Sequence, residues 1–153
     1  MHLNGVIHRD VKPSNFVFDE MGFLKTIDLG LARIWQPNNS ADTSGSPGYM
    51  APEVLMRQNH SFHSDFFGIG VITHELMLLR RPYVGNDRIS FKEQITKEQV
   101  ILKKNIVPET WNLEAADFIN KCIRRNPDSR LGLNGIAELK AHVWLKDTPW
   151  KEI

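Results

Sequence analysis

The chain has 153 residues, of which 41% are hydrophobic and 24% are charged, a composition typical of one globular domain. Nineteen Lys and Arg residues nearly balance eighteen Asp and Glu residues, so we expect neither a nucleic-acid partner nor a membrane partner. With one cysteine, no signal-peptide pattern and no apolar run of about 18 residues, the sequence predicts an intracellular protein, cytoplasmic or nuclear.

The first 27 residues predict a β-hairpin that sets two loops side by side. Apolar Met1 and Leu3 precede a helix-stopping Asn-Gly pair, a pattern typical of the end of a helix, so we expect the chain to start inside a longer domain. Two β-branched and aromatic runs, residues 16–18 and 23–27, flank a polar tetrapeptide that ends in Gly22. A glycine there can adopt the positive φ that a tight turn needs.

The rest of the chain predicts a buried central helix surrounded by smaller helices. Residues 31–48 are polar and rich in Gly, Ser and Pro, which is typical of a functional or mobile loop. Residues 65–79 are apolar nearly all round, which predicts a buried helix. Amphipathic stretches at residues 90–99, 113–124 and 135–142 predict the outer helices. The predicted fold class is therefore mainly α.

A cluster of charged and amide side chains lies between residues 8 and 15, in the order His-Arg-Asp-Val-Lys-Pro-Ser-Asn. Phosphoryl transfer needs such a set: a carboxylate for the acceptor hydroxyl, a cation for the transferred phosphate and oxygen ligands for Mg²⁺. Asp10, Lys12 and Asn15 supply one of each, and Asp28 brings a second carboxylate after the hairpin. These residue types predict metal-assisted phosphoryl transfer.

Three motifs together resemble the eukaryotic protein kinase catalytic domain. They are H-R-D-x-K-P-x-N at residues 8–15, D-x-G at 28–30 and A-P-E at 51–53. The resemblance implies that residues 1–153 form the C-terminal lobe of that domain, with a small hairpin carrying the catalytic loop and the D-x-G segment. The implied parts are the catalytic loop at 8–15, the activation segment at 28–53, the central helix at 65–79 and the outer helices within 90–142.

For the chemistry, the resemblance implies a Ser/Thr protein kinase that uses ATP and Mg²⁺ and acts on a protein substrate. Asp10 is then the catalytic base that orients the acceptor hydroxyl, Lys12 contacts the γ-phosphate of ATP, and Asn15 and Asp28 hold the metal. Lys12 is typical of Ser/Thr rather than tyrosine kinases. The Arg-Leu-Gly sequence that starts at Arg130 is similar to the end of the AGC group, the kinases related to those dependent on cyclic nucleotides.

Three residues are implied to hold the lobe together. In the family, Glu53 pairs with Arg130 as a buried ion pair, and Asp65 accepts hydrogen bonds from backbone N–H groups near His8 and Arg9. His8 itself is expected to be structural and to pack beneath the catalytic loop.

Regulation is implied by Arg9, which precedes the catalytic carboxylate as in kinases whose basic pocket is neutralised by a phosphorylated activation loop. An upstream activating kinase is then a further partner. Asp42 occupies the position where AGC kinases usually carry the phospho-acceptor Thr, and we hypothesise that its carboxylate stands in part for the phosphate. The alternatives are that Thr43 or Ser44 is the true acceptor, or that Asp42 is a solvated loop residue. Ser46 matches the loop hydroxyl that hydrogen-bonds near the catalytic Asp and Lys.

The resemblance implies that residues 47–50 line the pocket for the substrate residue that follows the acceptor. Glu75 aligns with an acid that binds basic residues upstream of the acceptor in some AGC kinases. Because kinases with other preferences share this acid, basic substrates and other substrates both stay open as alternatives.

The chain contains no G-x-G-x-x-G loop and no V-A-I-K-type lysine, which the family places upstream in its N-terminal lobe. Since positioning is most of phosphoryl-transfer catalysis, we expect no significant kinase activity from these residues alone. Three interpretations follow: a fragment of an intact Ser/Thr kinase, a non-catalytic module that docks a kinase partner or substrate, or a rapidly degraded relic. Retention of the metal ligands favours the first.

Overall fold

The computed structural model describes residues 1–152, which form five α-helices and four short β-strands. In chain order these are β1 Val6–Ile7, β2 Phe16–Phe18, β3 Leu24–Thr26, β4 Arg33–Ile34, α1 Pro52–Leu55, α2 His63–Leu78, α3 Arg88–Lys97, α4 Leu113–Cys122 and α5 Ile136–Lys140. The fold is mainly helical and has the character of a kinase C-terminal lobe, which confirms the predicted fold class. Across residues 1–152, no helix combines the length and the apolar character needed to cross a bilayer.

The predicted hairpin is present and consists of β2 and β3. The two strands are antiparallel, with Phe16 opposite Thr26 and Phe18 opposite Leu24. Gly22 has a φ of 85°, which is the positive φ that the turn was predicted to need. The hairpin is extended by a backbone hydrogen bond of 2.9 Å from Ile27 N to the carbonyl of Asn15. This bond brings the segment that follows β3 against the end of the catalytic loop.

A second antiparallel pair, β1 with β4, joins the start of the chain to the residues that follow the D-x-G motif. Val6 lies opposite Ile34 and Ile7 opposite Arg33. The strand β4 was not predicted, because two residues are too few to show a period in the sequence. The pair holds the residues after the D-x-G motif against β1, which directly precedes the predicted catalytic loop.

Helix α2 lies at the centre of the molecule. Ten of its 16 residues are buried, and Phe67 and Val71 share one core cluster with Ile119 of α4. A Cβ atom on Gly70 would lie 2.5 Å from Cβ of Cys122, so α2 and α4 approach each other closely there. Cys122 is fully buried, as expected for an unpaired cysteine in an apolar helix face.

The helix boundaries differ from the predicted ones by a few residues. Helix α2 begins at His63 and ends at Leu78, because Leu79 adopts a left-handed conformation with a φ of 56°. Helix α3 begins at Arg88, since the Asp87 side chain caps it by accepting a hydrogen bond from Ser90 N. Helix α4 stops at its Cys122 and α5 covers only Ile136–Lys140. The short helix α1 was not predicted.

A buried ion pair ties α1 to the loop that follows α4. The Arg130 side chain, 1% exposed, donates to both carboxylate oxygens of Glu53 at 2.6 and 2.8 Å. It also donates to the backbone carbonyls of Arg124, His63 and Arg125 at 2.9, 3.0 and 3.3 Å. The carboxylate and these three carbonyls together satisfy the guanidinium, as a buried charge requires.

Candidate active site

Asp65, in the first turn of α2, binds the backbone of the predicted catalytic loop, residues 8–15. Its two carboxylate oxygens accept hydrogen bonds from His8 N and Arg9 N, both at 2.8 Å. His2 Nε2 lies 2.7 Å from the same carboxylate, a contact that the sequence analysis missed. Arg9 adopts a left-handed conformation with a φ of 68°, which is uncommon for a residue other than glycine, and the next residue, Asp10, is buried.

The Asp10 carboxylate is the centre of a hydrogen-bond network. Its Oδ1 accepts from Ser46 N at 2.9 Å, while its Oδ2 lies 2.7 Å from Lys12 Nζ and 3.0 Å from Asn15 Nδ2. Burial alone would raise the pKa of Asp10, but the hydrogen bonds from Lys12, Ser46 and Asn15 together outweigh it and hold that pKa below its ordinary value of 3.8. The group is therefore an ionised carboxylate at neutral pH.

Ser46 connects the activation segment to the catalytic loop through two contacts. Besides the backbone bond to Asp10, its Oγ accepts a hydrogen bond of 2.9 Å from Lys12 Nζ. Gly45, directly before it, has a φ of 133°, and a Cβ atom there would lie 2.6 Å from the Arg9 carbonyl oxygen. Only glycine allows the two backbones to come this close, so the predicted activation segment packs against the predicted catalytic loop at Gly45.

Asn15 and Asp28 supply oxygen atoms that suit a hard cation. Asn15 uses its Nδ2 to donate to the carbonyl and the carboxylate of Asp10, at 2.8 and 3.0 Å, so its Oδ1 points away from that residue. Asp28 follows Ile27, whose N–H bonds Asn15, and its side chain is exposed. Its Oδ1 accepts a single contact of 3.2 Å, from Gly30 N. An amide oxygen and an exposed carboxylate on adjoining segments are ligands that Mg²⁺ accepts, and they fit the predicted ion.

Of the predicted regulatory residues, Asp42 is the one whose side chain pairs with the Arg9 guanidinium among the described residues. Arg9 Nε donates to the Leu31 carbonyl at 2.7 Å, and its Nη1 lies 3.3 Å from Asp42 Oδ2. That Nη1 is buried and is paired with Asp42 by charge alone, since the two groups are not aligned as a hydrogen bond. Thr43 and Ser44 are half-buried, and the Thr43 carbonyl accepts a hydrogen bond of 3.0 Å from Arg88. Neither hydroxyl contacts Arg9 among the described residues.

Tyr49 makes two contacts that the sequence analysis missed. Tyr49 donates its hydroxyl proton to Glu75 at 2.6 Å. Burial, reinforced by that hydrogen bond, raises the pKa of Tyr49 to about 12. The guanidinium of Arg81 lies over the Tyr49 ring, 5.6 Å from its centroid. Gly48 leaves the space that Arg81 fills, but a glycine by itself does not indicate which distant residue occupies that space.

Comparison with known proteins agrees with this geometry. A family model described as the protein kinase domain matches residues 1–145. Mouse cGMP-dependent protein kinase 2 is 35% identical over 154 residues, which cover 99% of this chain and 20% of that protein. Human ribosomal protein S6 kinase alpha-1 is 35% identical over 158 residues, covering 100% of this chain and 21% of that protein. The Arabidopsis thaliana serine/threonine-protein kinase AtPK1/AtPK6 is 30% identical over 156 residues, covering 100% and 32%.

The chain therefore belongs to the protein kinase family, Ser/Thr type, which confirms the resemblance that its motifs carry. It spans about a fifth of the length of the two animal relatives named above.

Proposed function

We propose that these residues are the C-terminal lobe of an ATP-dependent Ser/Thr protein kinase that transfers the γ-phosphate of Mg·ATP to a protein hydroxyl. The observation that supports this most is the network around Asp10, in which one carboxylate is bound by Lys12, Asn15 and the Ser46 backbone at 3.0 Å or less. The cGMP-dependent kinase among the relatives supports an AGC-like subgroup.

In this proposal Asp10 acts mainly by orientation. A carboxylate whose pKa lies below its ordinary value is a weak proton acceptor, but it accepts a hydrogen bond from the substrate hydroxyl and aims that oxygen at the phosphorus. Lys12, 2.7 Å away, is placed to neutralise charge on the transferred phosphate. Asn15 and Asp28 would hold Mg²⁺, which supplies charge neutralisation on the phosphate oxygens when it is bound.

The domain assignment is likewise a proposal: residues 8–15 as catalytic loop, 28–53 as activation segment, and the helices of the lobe as its support. Nucleotide positioning by a Gly-rich loop and its lysine belongs to the upstream lobe in the family. We therefore propose activity for the longer protein in which these residues occur, and none of significance for the 153 residues alone. An intracellular protein substrate and an upstream activating kinase are the partners that follow.

The alternative is a non-catalytic module that docks a kinase partner or substrate. An exposed carboxylate at Asp28 and an Asn15 oxygen turned away from the Asp10 carboxylate favour the catalytic proposal, because a docking module has no use for metal ligands.

The first test is the gene sequence upstream of the Met1 codon. An in-frame Gly-rich loop followed by a lysine is the expected result, and an in-frame stop codon would contradict the proposal. The second test is phosphorylation of a protein substrate by the full protein. Asp10→Asn should lower kcat by about 10²–10⁴-fold, the usual contribution of a positioned carboxylate. Asp147→Asn, a control outside the network, should leave kcat unchanged.

We propose that Arg9 and Asp42 regulate the activity, with the Asp42 carboxylate standing in part for a phosphate. The Asp42 carboxylate lies 3.3 Å from the buried Arg9 Nη1, where it neutralises part of the charge that a phosphate would neutralise fully. Asp42→Ala should then lower activity several-fold, and phosphopeptide mapping should find residue 43 largely unmodified. Stoichiometric phosphate on Thr43 or Ser44, combined with full activity of Asp42→Ala, would assign the acceptor to that residue instead.

A further inference from the structure

Arg81 packs against Gly48 and Tyr49, in the segment implied to line a substrate pocket, and no motif of the chain explains it. It is half-buried just beyond α2, with its guanidinium over the Tyr49 ring. A Cβ atom on Gly48 would collide with Arg81 Nη1 and would lie 2.8 Å from Arg81 Cζ. The guanidinium thus fills the space that a side chain at position 48 would take.

The donors of this guanidinium are unused. Across residues 1–152, the Arg81 side chain makes no hydrogen bond and no ion pair, although a guanidinium carries five N–H donors in a planar fork. The nearby acid is different, because Glu75 already accepts a hydrogen bond of 2.6 Å from the Tyr49 hydroxyl. Beside the Tyr49 ring, the group with all of its donors free is therefore the Arg81 cation.

Gly48, which the guanidinium packs against, also lies close to the proposed reacting groups. Ser46 N binds the Asp10 carboxylate at 2.9 Å, and Gly48 comes two residues later. A groove of about 530 Å³ is lined by Lys12, Tyr49 and Glu75 among others, and Arg81 adjoins it through the Tyr49 ring. Two residues span at most about 7 Å, so Gly48 and the Arg81 guanidinium against it lie within about three extended residues of the Asp10 carboxylate. A substrate with its hydroxyl at Asp10 therefore reaches Arg81 within about three residues.

We propose that Arg81 is a specificity-determining residue that binds a carboxylate side chain of the protein substrate within about three residues of the acceptor. This inference rests on the proposed kinase function. Arg matches a carboxylate through two parallel hydrogen bonds, and its stacking on Tyr49 holds the fork in place. The same charge repels a Lys or Arg at that substrate position, so kcat/KM should be lower for peptides with a basic residue there.

The test compares peptides that differ only by Asp, Ala or Lys at each of the positions flanking the acceptor within this reach. With the full protein, we expect kcat/KM at one of these positions to favour Asp over Lys by about tenfold or more, the usual effect of one charge-assisted hydrogen bond. Arg81→Ala should bring this ratio to about one or reverse it, because Glu75 then dominates the charge of the groove. Arg81→Lys should keep part of the preference, since the charge remains and the fork is lost.

The matched control is Arg80→Ala, which removes the same charge one residue earlier from an exposed side chain. It should leave the Asp-over-Lys ratio intact. A wild-type protein with no preference at any position, or an equal loss in the Arg80 and Arg81 variants, overturns the inference. Fluorescence anisotropy of the labelled peptides without ATP separates it from the proposed function: Arg81-dependent binding of the Asp peptide without phosphorylation supports the inference and contradicts the kinase proposal.

Discussion

Replacing Glu53 by Gln keeps the size of the side chain but removes the charge that the buried Arg130 needs. In the native protein the guanidinium donates to both Glu53 oxygens, at 2.6 and 2.8 Å, and is 1% exposed. In the variant one amide oxygen remains as an acceptor, and the amide N–H₂ faces a cation. Removing one partner of a buried pair in this way typically costs about 3–5 kcal/mol.

That loss is large against a total stability of about 5–15 kcal/mol. At an m value of about 2 kcal/mol/M, the urea midpoint should fall by about 1.5–2.5 M. Urea unfolding followed by tryptophan fluorescence measures the shift directly. Arg130→Met should cost a similar amount, because it leaves the Glu53 carboxylate unpaired. The Glu53→Gln, Arg130→Met double variant should be more stable than the sum of the single losses predicts, since no buried charge remains.

The control is the half-exposed pair on α4, in which Lys121 Nζ lies 2.6 Å from Asp117 Oδ2. Lys121→Ala should cost about 0.5 kcal/mol or less, as for other exposed pairs four residues apart on a helix. If Glu53→Gln moved the midpoint no further than Lys121→Ala, or if the two buried losses simply added, the assignment of the Glu53–Arg130 pair as a stability determinant would be wrong.

Two further predictions concern the loop contact and a buried histidine. Gly45→Ala should destabilise the protein by about 1–3 kcal/mol, because its Cβ would lie 2.6 Å from the Arg9 carbonyl oxygen. Gly22→Ala should cost less in the same urea assay, since Gly22 also has a positive φ but has no atom within 4 Å of its Cβ position. Equal losses of stability in the two variants would contradict the proposed clash. His74 is buried, and burial lowers its pKa below the ordinary value of 6.5 despite the hydrogen bond to the Arg80 carbonyl. As the pH falls, the unfolded state therefore takes up the proton before the folded state does. The stability advantage of wild type over His74→Asn should therefore shrink as the pH falls from about 7.5 to about 5, and a constant difference would refute this.

Local patterns in the sequence were enough for the elements that depend on neighbouring residues. The hairpin of β2 and β3 follows from two β-prone runs around Gly22, and the central helix follows from a long apolar run. The residues around Asp10 could be identified because they lie within one stretch of eight. Helix ends were less predictable, since they depend on single caps such as Asp87.

Contacts between distant residues were predicted only where the family resemblance implied them, as for Glu53 with Arg130 and Asp65 with Arg9 N. The other long-range contacts could not be predicted from the sequence. The pairing of β1 with β4 involves two residues on each side, too few for a pattern. The hydrogen bond from Tyr49 to Glu75 and the stacking of Arg81 on Tyr49 join residues that are far apart along the chain. Each depends on how α2 is packed beneath the activation segment.

The sequence by itself predicted the chemistry that we propose for this protein: a carboxylate, a cation and two oxygen ligands in the order typical of protein kinases. It did so because these groups are close in the chain and their types are set by the reaction. The tertiary structure decided how those groups are held and what surrounds them. It placed His2 against Asp65, the Tyr49 hydroxyl against Glu75 and the Arg81 guanidinium over the Tyr49 ring, contacts that no motif implied. Packing brings these residues together from separate segments, and a one-dimensional pattern carries no record of that approach.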